Sequence, residues 1–143
     1  MVPIQALSPD MMNDRDPLIF SRVLKAETYS RILVIPYPLI RFLEFTPGEP
    51  GIFMADHDKE GKIVSFWNKA STKTDVATRT TFEVDFWNAR TNGLTFPPEL
   101  ARYLDLPTKG KVYLQARNGK LGRFVAIWDE DYEKKRVKSE SGQ

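Results

Sequence analysis

The sequence predicts a mainly β protein with short helices, in which two copies of a strand, helix and hairpin unit together close one barrel. One observation behind this prediction is an internal repeat with an offset of 61 residues. Another is the alternation of apolar and polar residues in short segments separated by Gly, Pro and Asn. With 143 residues the chain is one domain by length, and 41% apolar residues are enough for a buried core.

The repeat is found by aligning the sequence with itself. The segment ILVIPYPLIRFLEF at 32–45 aligns with GLTFPPELARYLDL at 93–106, and each runs an apolar stretch into a proline and an amphipathic segment. The match continues to the pair 67/128, with more identities than chance pairing gives. The identical pairs are Pro36 and Pro97, Leu39 and Leu100, Arg41 and Arg102, Leu43 and Leu104, Ala55 and Ala116, Lys59 and Lys120, Gly61 and Gly122, Val64 and Val125, and Trp67 and Trp128.

Each copy is predicted to open with a half-buried strand. In TTFEVDFW, residues 80–87, apolar residues alternate with Glu83 and Asp85. This period of two is typical of a strand with one buried face. LIFSRVLK, residues 18–25, is the weaker counterpart in the first copy.

A short second strand and a helix follow in each copy. ILVI and LTF are predicted to end at Pro36 and Pro97, because proline lacks a backbone donor and suits the first turn of a helix. Leu100, Tyr103 and Leu104 then fall on one helical face at the spacing i, i+3 and i+4. TPGEPG and PTKG end the helices early.

The last part of each copy is predicted to be a hairpin. GIFMA and KIVSFW flank DHDKEG, while KVYLQA and RFVAIW flank RNGKLG, in which Asn118-Gly119 is a turn signal. One copy alone would expose strand edges and an incomplete core, so we expect the two copies to close one pseudo-twofold barrel.

These elements divide the chain into five parts. We predict a flexible N-terminal arm at 1–17, the first repeat at 18–69, a Ser/Thr-rich connection at 70–79, the second repeat at 80–132 and a charged C-terminal tail at 133–143.

The residue types in the chain argue against an enzyme. There is no cysteine, which excludes disulfides and thiolate sites. The single histidine, His57, falls in the predicted hairpin tip ADHDKEG, and there is no glycine-rich phosphate loop. We therefore expect no catalytic residue, no metal and no cofactor.

The chain also lacks targeting signals that the sequence would reveal. Its N-terminal residues do not have the pattern of a signal peptide, and no segment reaches the roughly 18 apolar residues of a membrane span. We expect a cytoplasmic protein with no membrane partner, located at the nucleoid if it binds DNA.

A set of motifs in the second copy is similar to those of a known family. They are the apolar run Leu94 to Phe96, Pro97, Leu100, Leu106, Lys111-Val112, Phe124 and Trp128-Asp129. In this order they resemble the C-terminal half of the MraZ proteins, members of the SpoVT-AbrB-like superfamily of swapped-hairpin barrels. The opening FSRVLKAETYSRILVIP is similar to the start of that family, and the resemblance covers about residues 20 to 132.

The resemblance implies a transcriptional regulator that binds double-stranded DNA as a homo-oligomer, in a ring-like assembly. In the family, an Asp followed four residues later by an Arg precedes each apolar run. The nearest counterparts here are Glu27 with Arg31 in the first copy and Arg90 in the second. The expected DNA contacts are Arg31, Arg90, Arg22 and Lys25, with Lys73 and Arg79 in the connection.

Two features bear on this expectation in opposite directions. Between residues 101 and 123, six basic residues stand against one acid, which favours a DNA-binding surface in a chain with this resemblance, although the formal net charge is only +2. The family's Asp-to-Arg signature is absent at strict spacing. A second function therefore stays open, namely a protein-interaction or structural module on the same barrel that has lost DNA binding.

Overall fold

The computed structural model describes residues 19–26, 31–46, 49–69, 81–84, 93–107, 110–119 and 122–141. These residues form antiparallel sheets and three short helices, which confirms the predicted mainly β class. The strands are β1 (Ile19–Val23), β2 (Lys25–Ala26), β3 (Arg31–Val34), β4 (Gly51–Asp58), β5 (Gly61–Asn68), β6 (Thr81–Val84), β7 (Gly93–Phe96), β8 (Lys111–Gly119) and β9 (Gly122–Trp128). The helices are α1 (Tyr37–Phe42), α2 (Pro98–Tyr103) and α3 (Glu130–Ser141).

The described strands form two sheets and no closed barrel, which differs from the predicted barrel. The six-stranded sheet has the order β1-β8-β9-β5-β4-β6, and the three-stranded sheet has the order β2-β3-β7. Only Leu24 separates β1 from β2, and it is fully buried. Its backbone N–H donates to the carbonyl of Gly110 at 3.0 Å. The chain therefore passes from one sheet to the other at a single packed residue.

Two strand pairings are centred on residues that lie 61 positions apart. In the pairing of β3 with β7, Leu33 lies opposite Leu94. In the pairing of β5 with β9, Ser65 lies opposite Ala126. An antiparallel pair of equivalent strands has a local twofold axis at the residue that faces its own counterpart. Both sheets therefore have the same local symmetry at the offset found in the sequence.

The corners between strand and helix also match at this offset. Pro36 has φ −56° and ψ 139°, and Pro97 has φ −58° and ψ 129°. Each proline carbonyl accepts backbone hydrogen bonds from the first helical turn, and each helix has six residues. Glu44 and Asp105 follow the two helices with φ 59° and 57°. This left-handed conformation turns the chain sharply after each helix.

Both predicted hairpins are present, but in the second one β8 continues through the Asn-Gly pair that was predicted to be the turn. Asn118 pairs with Arg123 and Gly119 pairs with Gly122, so the Asn-Gly pair belongs to β8. The first hairpin has the same register, with Asp58 opposite Gly61. Gly61 and Gly122 have φ of 142° and 124°. A positive φ is easy only for glycine, and this requirement fixes the turn just before each of them.

The main core lies between the two sheets and is built from both halves of the chain. Phe53 packs against Phe66 of the first half at 4.7 Å between ring centroids. It also meets Phe96 of the second half edge-on, at 5.3 Å. Helix α1 packs on β8, and helix α2 packs on β4, so each helix lies against the hairpin of the other half. The two halves therefore share one core.

A second apolar layer lies on the outer face of the six-stranded sheet, where α3 packs. Trp128 and Tyr132 are buried, with ring centroids 4.9 Å apart, beside Ile63 and Ala126. Trp67 is also buried on this face and stacks on Phe124 at 4.8 Å. The predicted boundary between the second repeat and the C-terminal tail, at residues 132 and 133, falls within α3. No helix within the described ranges combines the length and the apolar character that crossing a membrane requires.

Candidate nucleic-acid interface

Three of the predicted DNA contacts lie on consecutive strands of the chain, one in the six-stranded sheet and two in the three-stranded sheet. Arg22 is on β1, Lys25 is on β2 and Arg31 is on β3. Ala26 of β2 lies directly opposite Arg31. The described residues of β1, β2, β3 and β7 include no acidic residue. The strands β1, β2 and β3 therefore carry three basic residues and no carboxylate within the described ranges.

Arg31 is half-buried and keeps its charge uncompensated within the described residues. Its Nη1 atom lies 3.5 Å from the carbonyl oxygen of Leu106, which follows α2. At this distance a hydrogen bond is weak. No carboxylate of the described ranges forms an ion pair with Arg31. The guanidinium group of Arg31 therefore has one weak carbonyl contact and no carboxylate partner within the described residues.

The other predicted contacts are described to different extents. The Nη1 atom of Arg22 donates to the carbonyl of Ser21 at 2.8 Å, and its side chain is half-buried on the sheet edge. Lys25 has a defined backbone in β2, while its side chain lies outside the described atoms. Arg90, Lys73 and Arg79 lie outside the described residues.

Lys111 lies on the strand next to β1, although it was not among the contacts predicted from sequence, and its charge helps to lower the pKa of Glu133 on α3. It lies directly opposite Val23 in the pairing of β1 with β8. Its Nζ atom is 5.3 Å from the ring centroid of Tyr113. Val23 is 55% exposed. The only signal in the sequence was the basic stretch that contains Lys111, because the pairing of residues 23 and 111 depends on the topology of the sheet. We call Arg22, Lys25, Arg31 and Lys111 the basic edge.

Two other members of that basic stretch form ion pairs with carboxylates of the first half. Arg117 Nη1 lies 2.9 Å from Asp58 Oδ2. Arg123 Nη1 lies 3.3 Å from Glu44 Oε1 and also donates to the carbonyl of Phe42. These partners are far away in sequence. The free positive charge of the stretch is therefore smaller than its composition indicates.

The Arg117 pair belongs to a network that attaches α3 to the first hairpin. The hydroxyl group of Tyr132 donates to Asp58 Oδ2 and accepts from Arg117 Nη2, and the Arg117 guanidinium lies 5.0 Å from the centre of the Trp128 ring. Burial raises the pKa of Asp58, but hydrogen bonds from Tyr132 and Arg117 outweigh it and hold the pKa below its usual value. Burial, with the hydrogen bond to Asp58, raises the pKa of Tyr132 to about 12. The network is thus ionised at Asp58 and neutral at Tyr132 near neutral pH.

In the acidic hairpin tip around His57, two carboxylates accept hydrogen bonds from nearby backbone N–H groups. The Asp56 carboxylate accepts from the backbone N–H of His57 at 2.8 Å, and the Asp58 carboxylate accepts from that of Glu60 at 2.9 Å. In the described ranges, no three His, Cys, Asp or Glu side chains are placed to hold a metal ion. The His57 side chain is exposed, in agreement with the predicted solvated tip.

A cleft of about 320 Å³ lies between the first hairpin turn, the end of α2 and the start of α3. Four carboxylates line it, from Glu60, Asp105, Asp129 and Asp131, together with the lysines Lys62 and Lys135. The excess of negative charge disfavours a polyanion here. The basic edge is therefore the better candidate for a nucleic-acid contact.

No family model, no curated protein and no solved structure matches this chain. The similarity to the MraZ proteins therefore rests on the motifs quoted from the sequence.

Proposed function

We propose that the chain is a DNA-binding transcriptional regulator of the MraZ/AbrB type, and that the basic edge contacts DNA phosphates. The observation that supports this proposal is that Arg22, Lys25 and Arg31 lie on three consecutive strands, β1, β2 and β3, that bear no acid within the described ranges. Cations held on neighbouring strands can neutralise successive phosphates and release counterions, which is the main source of affinity for a DNA backbone.

The proposal includes a tandem duplication, with the two halves related by a pseudo-twofold axis in a swapped-hairpin arrangement. It is supported by the self-paired residues Leu33 with Leu94 and Ser65 with Ala126. It is also supported by the packing of each helix on the hairpin of the other half, since such exchange is what a swapped arrangement requires.

The proposal further includes a homo-oligomer, ring-like as the resemblance implies. A chain with a net charge of +2 and a basic edge of four cations holds DNA weakly alone. An assembly repeats the edge along the duplex, and linked binding events raise the overall affinity without any new type of contact.

A protein-interaction module on the same scaffold is the second candidate. The ion pairs of Arg117 with Asp58 and of Arg123 with Glu44 favour it, because they remove two cations from the surface. Under this alternative, a defined protein partner binds the full chain and replacement of Arg31 has no effect on that binding.

The deciding experiment is a gel-shift of the full chain against fragments of its source genome, at low and high salt, beside the oligomer mass from light scattering. DNA binding that falls steeply with salt and weakens in Arg31→Ala supports the proposal. The matched control is Arg41→Ala, because Arg41 is exposed on α1. Arg123 donates to the carbonyl of Phe42 on α1 and lies near the hairpin turn of β8 and β9, whereas Lys111 lies at the start of β8. Absence of binding at low salt overturns the proposal.

A further inference from the structure

Helix α3 has two flanks with different electrostatic surroundings. On one flank, Asp131 and Lys135 line the acidic cleft described above. On the other flank, Lys134 and Lys138 line a groove of about 440 Å³ beside Tyr113 of β8. Residues 131 and 135 are four positions apart, as are residues 134 and 138, so each pair follows one side of the helix. Two lysines that are neighbours in sequence therefore have different surroundings.

The groove is continuous with the outer face of the six-stranded sheet at its β1 side. Val23 lies directly opposite Lys111, and Ser21 lies opposite Tyr113. Residues that face each other in an antiparallel pair project to the same side of the sheet. Tyr113 packs against the apolar layer beneath α3, so this side is the outer face. The Lys111 Nζ atom lies 5.3 Å from the ring centroid of Tyr113. We call Lys111, Lys134 and Lys138 the lysine face.

Two carboxylates also line the groove, but one of them is compensated by an arginine. Glu133 accepts hydrogen bonds from Nε and Nη2 of Arg136, at 2.8 and 3.0 Å. These hydrogen bonds are the main cause of the lowered pKa of Glu133, and the charge of Lys111 adds to the effect. The other carboxylate, Glu130, is exposed. Four cations thus stand against two carboxylates, and the groove is positive where the cleft is negative.

Lys134 and Lys138 are exposed, and neither forms an ion pair or a side-chain hydrogen bond with the residues that the structure describes. They are about 6 Å apart along the helix axis. A lysine carries a compact charge on a flexible stem and can contact a phosphate without a fixed geometry. Because a duplex carries phosphates along its whole length, such a pair can neutralise two of them together.

We propose that Lys134 and Lys138 of α3 contact DNA phosphates together with Lys111, so that the lysine face extends the DNA interface from the strands onto a helix. The inference rests on the proposed function and adds residues to its interface. Lys135 takes no part in this contact, because it lies on the flank with the acidic cleft.

The test compares Lys134→Ala, Lys138→Ala and the matched control Lys135→Ala. Each variant removes one exposed positive charge from the same helix, and alanine preserves the helix propensity. Fluorescence anisotropy of the full chain, with a labelled genomic duplex bound in the gel-shift, measures affinity from about 50 to 200 mM salt. We expect Lys134→Ala and Lys138→Ala each to weaken binding several-fold and to reduce the slope of log K against log salt by about 1.

Two further variants separate charge from packing. Lys135→Ala should leave the slope unchanged, although its change in net charge is the same. Lys134→Arg should bind DNA like the native chain, because it keeps the charge. Thermal unfolding by circular dichroism confirms that each variant is folded.

Each other outcome overturns the inference in a recognisable way. If Lys135→Ala weakens binding as much as Lys134→Ala, α3 acts through net charge and not through a contact. If Arg31→Ala weakens DNA binding whereas Lys134→Ala and Lys138→Ala do not, the inference fails and the proposed function stands. If DNA is not bound at low salt, both fail. If Lys134→Ala and Lys138→Ala lower the mass of the oligomer and leave the slope unchanged, the lysine face joins a second copy of the chain instead.

Discussion

Replacing Tyr132 with phenylalanine tests whether α3 is held to the first hairpin by the network described above. The change removes a single oxygen atom, which donates to Asp58 and accepts from Arg117. The ion pair between Asp58 and Arg117 remains, at 2.9 Å. The ring remains as well and keeps its contact with Trp128. The variant therefore isolates the contribution of the hydroxyl group.

The expected loss follows from the charge and exposure of the partners. A hydrogen bond to a charged group contributes about 1.5–3 kcal/mol when it is buried. The Asp58 side chain is 30% exposed, so water replaces part of the lost interaction. We expect the free energy of unfolding to fall by about 1–2 kcal/mol, which corresponds to roughly 3–6 °C in Tm for a domain of this size.

Urea unfolding at pH 7, followed by circular dichroism, measures this loss. The matched control is Tyr113→Phe, because the hydroxyl group of Tyr113 forms no hydrogen bond with the described residues. A change below about 0.5 kcal/mol in Tyr132→Phe, or equal changes in both variants, would refute the argument that the network attaches α3.

Three further predictions concern stability. The pKa of Asp58 is lowered in the folded state, so ionised Asp58 stabilises the fold at pH values above its unfolded pKa, near 3.8. This stabilisation is lost as the pH falls through the folded pKa. By urea unfolding, Asp58→Asn should therefore be less stable than the native chain at pH 7 and similar to it near pH 2. In Gly51→Ala the added Cβ would overlap the ring of Phe66, so we expect the free energy of unfolding to fall by about 1–3 kcal/mol in the same assay. An alanine substitution at an exposed residue serves as the control and should change the free energy of unfolding little. Ser65→Ala should cost about 1–3 kcal/mol, because the indole N–H of Trp67 donates to the Ser65 hydroxyl at 2.8 Å and would be left unpaired in a buried site, and a loss no larger than that of a surface serine would contradict this.

The local elements of the fold could be predicted because their causes are local. Pro36 and Pro97 set the start of each helix through their fixed φ and missing donor, and the structure places α1 and α2 directly after them. The hairpins follow from two apolar runs on either side of a polar tip. The turn position was missed because Asn118-Gly119 is the stronger local signal, while the positive φ falls on Gly122.

Contacts between the halves could not be predicted, since they depend on which strands become neighbours. The partners of Arg117 and Arg123 come from residues 58 and 44, and no sequence pattern connects those positions. The same holds for Lys111, which enters the basic edge through its pairing with β1. Arg31 and Arg22 could be selected in advance only through the family resemblance, and their role in DNA binding stays a prediction.

Among the described residues, the two halves differ most at α3, which has no counterpart after β5. Trp67 and Trp128 occupy equivalent positions, but Trp67 donates its indole N–H to Ser65, whereas Trp128 donates to Glu133 of α3, because the residue equivalent to Ser65 is Ala126. Helix α3 thus provides the hydrogen-bond acceptor for the Trp128 indole that β9 does not provide. Through the Tyr132 hydroxyl it also contacts Asp58 of the other half. These contacts of α3 are asymmetric, whereas the strand pairings β3 with β7 and β5 with β9 are each centred on residues 61 positions apart.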